Sequence, residues 1–240
     1  MAGLTDMHSH FLYGLDDGAK TSRGMERMLD AAYAGGIRCL FATPHVTPGV
    51  QPYSMEVIRT RVKEARQYCR QKNYPIRIFC GAEILYTRAI ERFASERALP
   101  TLADTNRVLV EFGPEVSLAD LESALDLFDR CGYEVIIAHV ERYKCMQRGV
   151  AYKIKAKYDV KYQMNCGSIV GSRSFFERIW IQKWLRDGLI DFVGSDAHNV
   201  TTRPFRMESA YQELKKLLGE ERADLMCGSG EDAYKRILYE

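Results

Sequence analysis

The chain has 240 residues, 46% of them hydrophobic and 28% charged, with a formal net charge of +2. This is the composition of a globular protein with one sizeable core, and so even a charge balance excludes a global drive toward nucleic acid or an anionic membrane surface. No segment approaches the ~20 apolar residues that cross a bilayer, and no basic leader, linker, repeat or low-complexity stretch is visible, so a single cytoplasmic domain over 1–240 is expected.

The first β-rich run, 4–8, ends in Asp6-Met7-His8-Ser9-His10. A strand's period of two sends His8 and His10 to one face, where two imidazoles can reach one ion. Asp16-Asp17-Gly18 comes next, good turn chemistry in which spacing does not separate the two aspartates. Met25, Met28, Leu29 and Ala32 then keep helical spacing, and a second run, 37–43, closes on Thr43-Pro44-His45. Ile58, Val62, Ala65 and Cys69 predict another helix before the run 76–83, which closes on Gly81-Ala82-Glu83. A run at 107–112 contains Val110-Glu111, followed by a helix on Leu118, Leu121, Leu125 and Phe128 that Ser117-Leu118-Ala119-Asp120 opens as a capping box. The runs 133–139 and 161–166 follow, the former ending in Ala138-His139, and the run 189–195 leads into Gly194-Ser195-Asp196-Ala197-His198.

All five histidines thus fall in, or one step past, a strand end, with acidic residues in the same rhythm. One histidine or glutamate at a strand end is ordinarily a cap or a surface residue; nine such residues on one rim, counting one of the two aspartates 16 and 17, read as a polynuclear metal site. Alternation of seven strands with helices argues for an α/β fold with parallel strands, and candidate ligands at nearly every strand's C-terminal end argue for closure into a barrel with its site on that face. An open doubly wound sheet would draw on the few strand ends at one switch point. Imidazole and carboxylate together suit manganese, iron or zinc and lack the thiolates of structural zinc.

The seven cysteines are odd in number and never form Cys-x-x-Cys pairs, which points to a reducing compartment. None has arginine six residues on, as a thiolate nucleophile in a phosphate-cradling loop requires. Cys166, with Arg173 seven positions away, reads as a packed strand-end thiol.

The segments D-M-H-S-H, L-D-D-G-A, A-T-P-H, G-A-E-I, V-E-F, A-H-V-E-R-Y and G-S-D-A-H-N-V-T-T-R-P, from Asp6 to about Ala210, resemble the polymerase and histidinol phosphatase (PHP) superfamily. Within it the chain is similar to the manganese-dependent bacterial protein tyrosine phosphatases that act on capsule and exopolysaccharide tyrosine kinases. The resemblance implies a distorted seven-stranded (β/α)7 barrel of the PHP type with three metal ions, Mn²⁺ first, with iron or zinc in some positions. By motif position His8, His10, Glu83 and Asp196 would hold the first ion. Glu83 would bridge to a second, completed by Glu111 and His139, while Asp17, His45 and His198 would hold the third. It further implies direct hydrolysis of phosphotyrosine by a metal-bridging hydroxide, on a partner such as the C-terminal tail of a bacterial tyrosine kinase, with no nucleic acid and no membrane insertion.

Arginine is the natural second component, because its planar fork gives bidentate, charge-assisted bonds to phosphate. Arg142, three residues after His139, and Arg203, five after His198, are the candidates, and both match functional arginines of the resembling phosphatases. Glu141 reads as a surface or structural partner of Arg142. The basic residues from Arg142 to Lys161, Arg148 included, read as a solvated helix face or as a flank that steers acidic phosphopeptides. Tyr143, Tyr152 and Tyr158 could stack on a phosphotyrosine ring or pack the outer helix. The tail, with Tyr234 and Tyr239, predicts a short surface helix from Glu231. Two other readings stand beside the main one: a histidinol-phosphate phosphatase of the same superfamily, and a non-catalytic metal-stabilised binder of a kinase tail.

Overall fold

The structure, a computed structural model, describes residues 3–147, 149–171, 174–228 and 234–239. Its strands are β1 (Leu4–Ser9), β2 (Ile37–Ala42), β3 (His45–Val46), β4 (Arg77–Cys80), β5 (Glu83–Leu85), β6 (Arg107–Glu111), β7 (Glu134–Ile137), β8 (Val160–Asn165) and β9 (Phe192–Gly194). They alternate with α1 (Ser22–Ala34), α2 (Met55–Gln71), α3 (Ile90–Ser95), α4 (Leu118–Arg130), α5 (Val150–Lys157), α6 (Cys166–Val170) and α7 (Phe175–Arg186), and α8 (Met207–Leu218), α9 (Glu220–Cys227) and α10 (Tyr234–Tyr239) follow β9.

Every strand pairing is parallel, in the orders β1-β2-β4 and β3-β5-β6-β7-β8-β9. A parallel sheet curled between outer helices is therefore present, but the expected seven-strand ladder is cut differently. The run 37–43 ends at Thr43-Pro44 and pairing resumes at His45, since a proline has no N–H for the ladder. The run 76–83 breaks at Gly81-Ala82, where the chain passes so close to Leu102 that a Cβ on Gly81 would stand 2.7 Å from its Cδ2. Because both breaks fall at the same level, β2 pairs with β4 and β3 with β5, and the hydrogen bonding divides into a three-stranded and a six-stranded sheet. The curl meets itself at a Ser9–Ala197 bridge, with His10 N–H donating to the Ala197 carbonyl at 2.8 Å and Asp196 N–H to the His8 carbonyl at 2.8 Å. Closure is thus made where the metal-ligand candidates sit.

Two apolar layers result. Outside the sheet, α1 buries Met25, Met28, Leu29 and Ala32, and α2 buries Ile58, Val62, Ala65 and Cys69, the residues expected from their spacing. Each large side chain among them contributes roughly 1.5–3 kcal/mol by leaving water. In α4 the buried stripe is Leu121, Ala124, Leu125, Leu127 and Phe128, whereas Leu118 is exposed. Ser117 caps α4 by accepting from the Asp120 N–H at 3.1 Å, but its hydroxyl donates to the Asp120 carboxylate, so only half of the expected capping box forms. Inside the curl, Met7, Phe41, Leu109, Ile136 and Phe192 pack with Ile237 and Leu238 of α10.

That last contact corrects the expectation of a surface tail. Glu231 lies outside the described residues, but α10 buries Ile237 and Leu238 to 4% exposure each, while Tyr239 stays exposed. Arg107, at the start of β6, donates to the Arg236 carbonyl at 2.7 Å, so α10 is fixed beneath the strands' N-terminal ends. The basic stretch is divided between two places: Arg142 stands at the strands' C-terminal ends, while Lys153 and Lys157 of α5 are exposed, as a solvated helix face would be. Lys155 donates to the Leu189 carbonyl at 2.7 Å and pairs with Asp191 just before β9, and Lys157 pairs with Glu122 of α4 at 2.8 Å. These lysines tie α5 to the wall and base, away from the strand ends that hold the ligand candidates; Arg148 lies outside the described residues.

Candidate metal centre

The nine acidic and imidazole candidates converge at the C-terminal ends of the strands. Glu83, fully buried at the start of β5, is the hub: its Oε2 lies 3.1 Å from His8 Nε2, 3.2 Å from His10 Nε2 and 3.0 Å from His45 Nδ1. Its Oε1 lies 2.8 Å from His139 Nε2. Asp196 Oδ1 faces His8 and His10 at 3.8 and 3.5 Å. Glu111 reaches His139 Nε2 at 3.4 Å and His45 Nδ1 at 3.5 Å, and Asp17 Oδ1 reaches His198 Nε2 at 3.1 Å and His45 Nε2 at 3.6 Å. Three sets have ligand atoms within 4.8 Å of one another: His8, His10, Glu83 and Asp196; His10, Asp17, His45 and His198; and His45, Glu83 and Glu111. His45 joins two of these sets, and His139 closes on the third through both glutamates.

Beneath this layer lies a shell of side chains that orients it. Asp16, indistinguishable from Asp17 in sequence, turns inward and lies 2.7 Å from His10 Nδ1, also accepting from the His45 N–H at 3.0 Å, while Asp17 faces the ring nitrogens. Burial favours the neutral forms of both members of the Asp16–His10 pair, but their hydrogen bond outweighs it, lowering Asp16 to about 2 and, with Glu83, raising His10 to about 10. Burial likewise pulls His139 down, but Glu111 and Glu83 raise it to about 9. His198 is lowered to about 4 by burial and by the charges of His10 and Arg203.

β8 has no ligand candidate, yet it wires three of them together. Gln163 Oε1 accepts from the His139 N–H at 2.9 Å and lies 3.0 Å from His8 Nδ1. Gln163 Nε2 donates to Asn165 Oδ1 at 2.8 Å, and Asn165 Nδ2 donates to Asp196 Oδ2 at 2.8 Å. The only tautomer of His8 that serves this chain has its proton on Nδ1, which leaves the Nε2 lone pair for the centre. His139 and Asp196 both sit at positive φ, 34° and 55°, a strained backbone region that aims their side chains inward. Gly194 is required beside them, because a Cβ there would stand 2.7 Å from His8 Cβ.

Tyr143 is buried rather than open to a substrate ring: its hydroxyl accepts from the Phe112 N–H at 3.1 Å and meets His139 Nδ1 at 3.2 Å. Tyr152 donates to Asp187 on the outer wall. Glu141 is buried too, its Oε1 accepting from the Asn165 N–H at 3.1 Å and from the Ser168 hydroxyl, so it braces the end of β8 instead of lying on the surface. Cys166 is fully buried, and burial pushes its thiol well above the usual range, which removes it as a nucleophile.

The two arginines stand at the rim. Arg142 Nη2 donates to Asp196 Oδ2 at 2.7 Å, and Arg203 bonds Asp196 Oδ1 at 2.9 Å and Asp17 Oδ2 at 3.4 Å. Each side chain is 41% exposed, so donors remain on the open side. Arg203 is set by a turn in which Asn199 Oδ1 accepts the N–H groups of Thr201, Thr202 and Arg203. Both arginines line an open cleft of about 290 Å³ that reaches Asp196.

A family model described as capsular polysaccharide synthesis, CpsB/CapC, matches residues 4–232. The chain belongs to this family. Among its relatives, the tyrosine-protein phosphatase YwqE of Bacillus subtilis (strain 168) is 30% identical over 230 residues, covering 95% of this chain and 90% of YwqE. The tyrosine-protein phosphatase CpsB of Streptococcus agalactiae is 26% identical over 230 residues, covering 92% and 93% of the two chains. A crystal structure from work on YwqE and Streptococcus pneumoniae CpsB, described there as unique metal-dependent tyrosine phosphatases, superposes with a TM-score of 0.81 at 29% identity, covering 95% of this chain and 96% of that one. Histidinol phosphate phosphatase from Lactococcus lactis shares the fold, with a TM-score of 0.60 at 14% identity over 92% of this chain and 94% of that one.

The donor set of this CpsB/CapC member fits metal on its own geometry. Glu83 Oε2 and His198 Nε2 are buried without a hydrogen-bond partner. His198 Nδ1 lies 2.9 Å from the Asp196 carbonyl, the contact of a ring that is protonated there and keeps its Nε2 lone pair free. The Nε2 atoms of His8 and His10 stand 3.1 Å apart while their Nδ1 atoms face the acceptors Gln163 and Asp16, so both Nε2 atoms are turned to the centre, where a metal ion would replace the proton that His10 holds without one. The sequence holds polar Gln163 and Asn165 two residues apart on one face of the run 161–166, a spacing that alone does not separate a buried polar pair from a solvent-facing one.

Proposed function

We propose that the protein is a metal-dependent protein tyrosine phosphatase that hydrolyses phosphotyrosine directly, on a bacterial tyrosine kinase controlling capsule or exopolysaccharide synthesis. The observation that supports it most is the pairing of two half-exposed arginines with one carboxylate, Asp196, at the rim of an imidazole and carboxylate cluster of eight residues that His139 joins through Glu83 and Glu111. The two sheets read as one distorted (β/α)7 barrel in which β2 with β3, and β4 with β5, are single bent strands. The seven free thiols suit a reducing cytoplasm.

His8, His10, Glu83 and Asp196 would hold one ion, Glu83 with Glu111 and His139 a second, and Asp17, His45 and His198 a third, with manganese as the native metal. Ions bound there supply a water of lowered pKa as nucleophile and neutralise charge on the phosphate oxygens. The remaining work belongs to the chain. Arg142 and Arg203 present their outer N–H groups to the phosphoryl oxygens and stabilise the charge that grows on them. Gln163, Asn165, Asp16 and Tyr143 hold the ligand rings and Asp196 in place, so little reorganisation accompanies the reaction. The leaving phenolate, with a pKa near ~10, departs with less protonation than an alkoxide needs.

The test is hydrolysis of a phosphotyrosine peptide and of histidinol phosphate by metal-stripped protein with Mn²⁺, Zn²⁺ or Mg²⁺ restored, alongside Arg142→Ala. Turnover of the peptide that returns with Mn²⁺ and falls by about 10²–10³-fold in Arg142→Ala supports the proposal. Preference for histidinol phosphate moves the activity to an alkyl phosphate, and no turnover with any metal leaves a binding role.

A further inference from the structure

The cleft beside Asp196 does not end at the arginines. Two of its lining residues, Ser168 and Arg206, also line a groove of about 1040 Å³ between α6, α7 and α8. The cleft, at about 290 Å³, is near the lower bound of ligand pockets (~300 Å³), and the groove is near the upper (~1,000 Å³). An aryl phosphate is accommodated by the first alone; a longer chain attached to it has the second ahead of it.

The groove's charges are unevenly committed. Lys216 is paired with Glu213 at 2.7 Å, and Glu208 also lines the wall. Arg178 and Arg206 are exposed and form no ion pair among the described residues, unlike Arg142 and Arg203, which are anchored on Asp196. Phe175, one turn before Arg178 on the same face of α7, is 73% exposed.

Resting on the phosphatase reading, we infer that this groove is the docking site for the polypeptide flanking the phosphotyrosine, and that Arg178 and Arg206 select acidic residues in that flank. The substrate's tyrosine enters the 290 Å³ cleft while its neighbours lie along α7 and α8. Continuity of the two spaces through Arg206, and arginines with no ion-pair partner among the described residues, point to an anionic extended chain as the occupant.

The experiment uses metal-loaded protein and three substrates: p-nitrophenyl phosphate, a phosphotyrosine peptide with glutamates on both sides, and the same peptide with glutamines in their place. Wild type should show a KM about fivefold lower for the glutamate peptide, the upper range for an exposed ion pair. Arg178→Glu should abolish or invert that preference, Arg178→Lys should keep it, and p-nitrophenyl phosphate turnover should be the same in all three proteins. Equal KM for the two peptides in wild type, or a KM rise in Arg178→Glu that is the same for both, would overturn the assignment. Loss of p-nitrophenyl phosphate hydrolysis in wild type with every metal would instead defeat the phosphatase reading on which it rests.

Discussion

Replacing Gln163 by leucine tests whether β8 tunes the metal centre without touching metal. The side chain is fully buried and satisfies three groups at once: the His139 N–H at 2.9 Å, His8 Nδ1 at 3.0 Å and Asn165 Oδ1 at 2.8 Å. Leucine is of similar size, so the loss is polar rather than steric. Each orphaned buried group costs about 1–3 kcal/mol, and with partial relaxation the metal-free fold should lose about 3 kcal/mol. Metal affinity should fall separately, by about 10–100-fold, because His8 loses the acceptor that fixes its tautomer and Asp196 loses its link through Asn165. Gln163→Glu retains an acceptor for His8 and His139 but sets a carboxylate oxygen against Asn165 Oδ1, so its affinity should lie between the two. The assay is competitive titration against a chromophoric chelator, paired with urea unfolding in excess EDTA. If Gln163→Leu lowers metal-free stability while its metal affinity stays at the wild-type value, the residue is only a packing element and the reasoning fails.

Tyr143→Phe leaves the buried Phe112 N–H and His139 Nδ1 without their shared hydroxyl, and should cost about 1–3 kcal/mol in chemical denaturation; an unchanged midpoint would refute that role. In metal-free protein His10 and His139 are raised to about 10 and 9, so their contribution to stability is complete below the unfolded value of about 6.5 and is lost as pH rises through 9 to 10. Melting scans in EDTA should therefore show Tm falling from pH 8 to 10.5, with excess metal flattening the fall, and a rising Tm over that interval would contradict the sign. Leu238→Ala should cost about 2–5 kcal/mol, because the side chain is 4% exposed inside the curl, whereas Tyr239→Ala, next to it but exposed, should change stability little; equal effects would place α10 outside the core.

The parts of the site that were legible in sequence are those that obey strand periodicity. His8, His10, His45, Glu83, Glu111, His139, Asp196 and His198 each end an apolar run, so their convergence follows once the runs are parallel. Asp17 was not separable from Asp16, because which carboxylate turns inward depends on His10 reaching across the turn. The orienting shell was missed for a related reason: polar Gln163 and Asn165 in a strand read equally well as solvent-facing residues until the partners on neighbouring strands are known. Strand continuity failed at Pro44 and Gly81, where a missing N–H and a close approach by Leu102 override β propensity. For the basic stretch, charge counts do not say which end of the sheet a helix face meets; Asp191 and Glu122 decide that for Lys155 and Lys157.

The way the curl closes has a consequence for how the protein is assembled. Asp6 accepts from the Ser195 N–H across 189 residues of chain, and Thr5 donates to the Gly228 carbonyl across 223. Contacts so distant in sequence are slow to find and entropically costly to hold. An ion shared by His8, His10 and Asp196 would act as a clasp on that seam, since the site does not exist until the two ends of the fold have met. Metal supply during synthesis would then govern how much of the newly made chain reaches the closed form, quite apart from any effect on turnover.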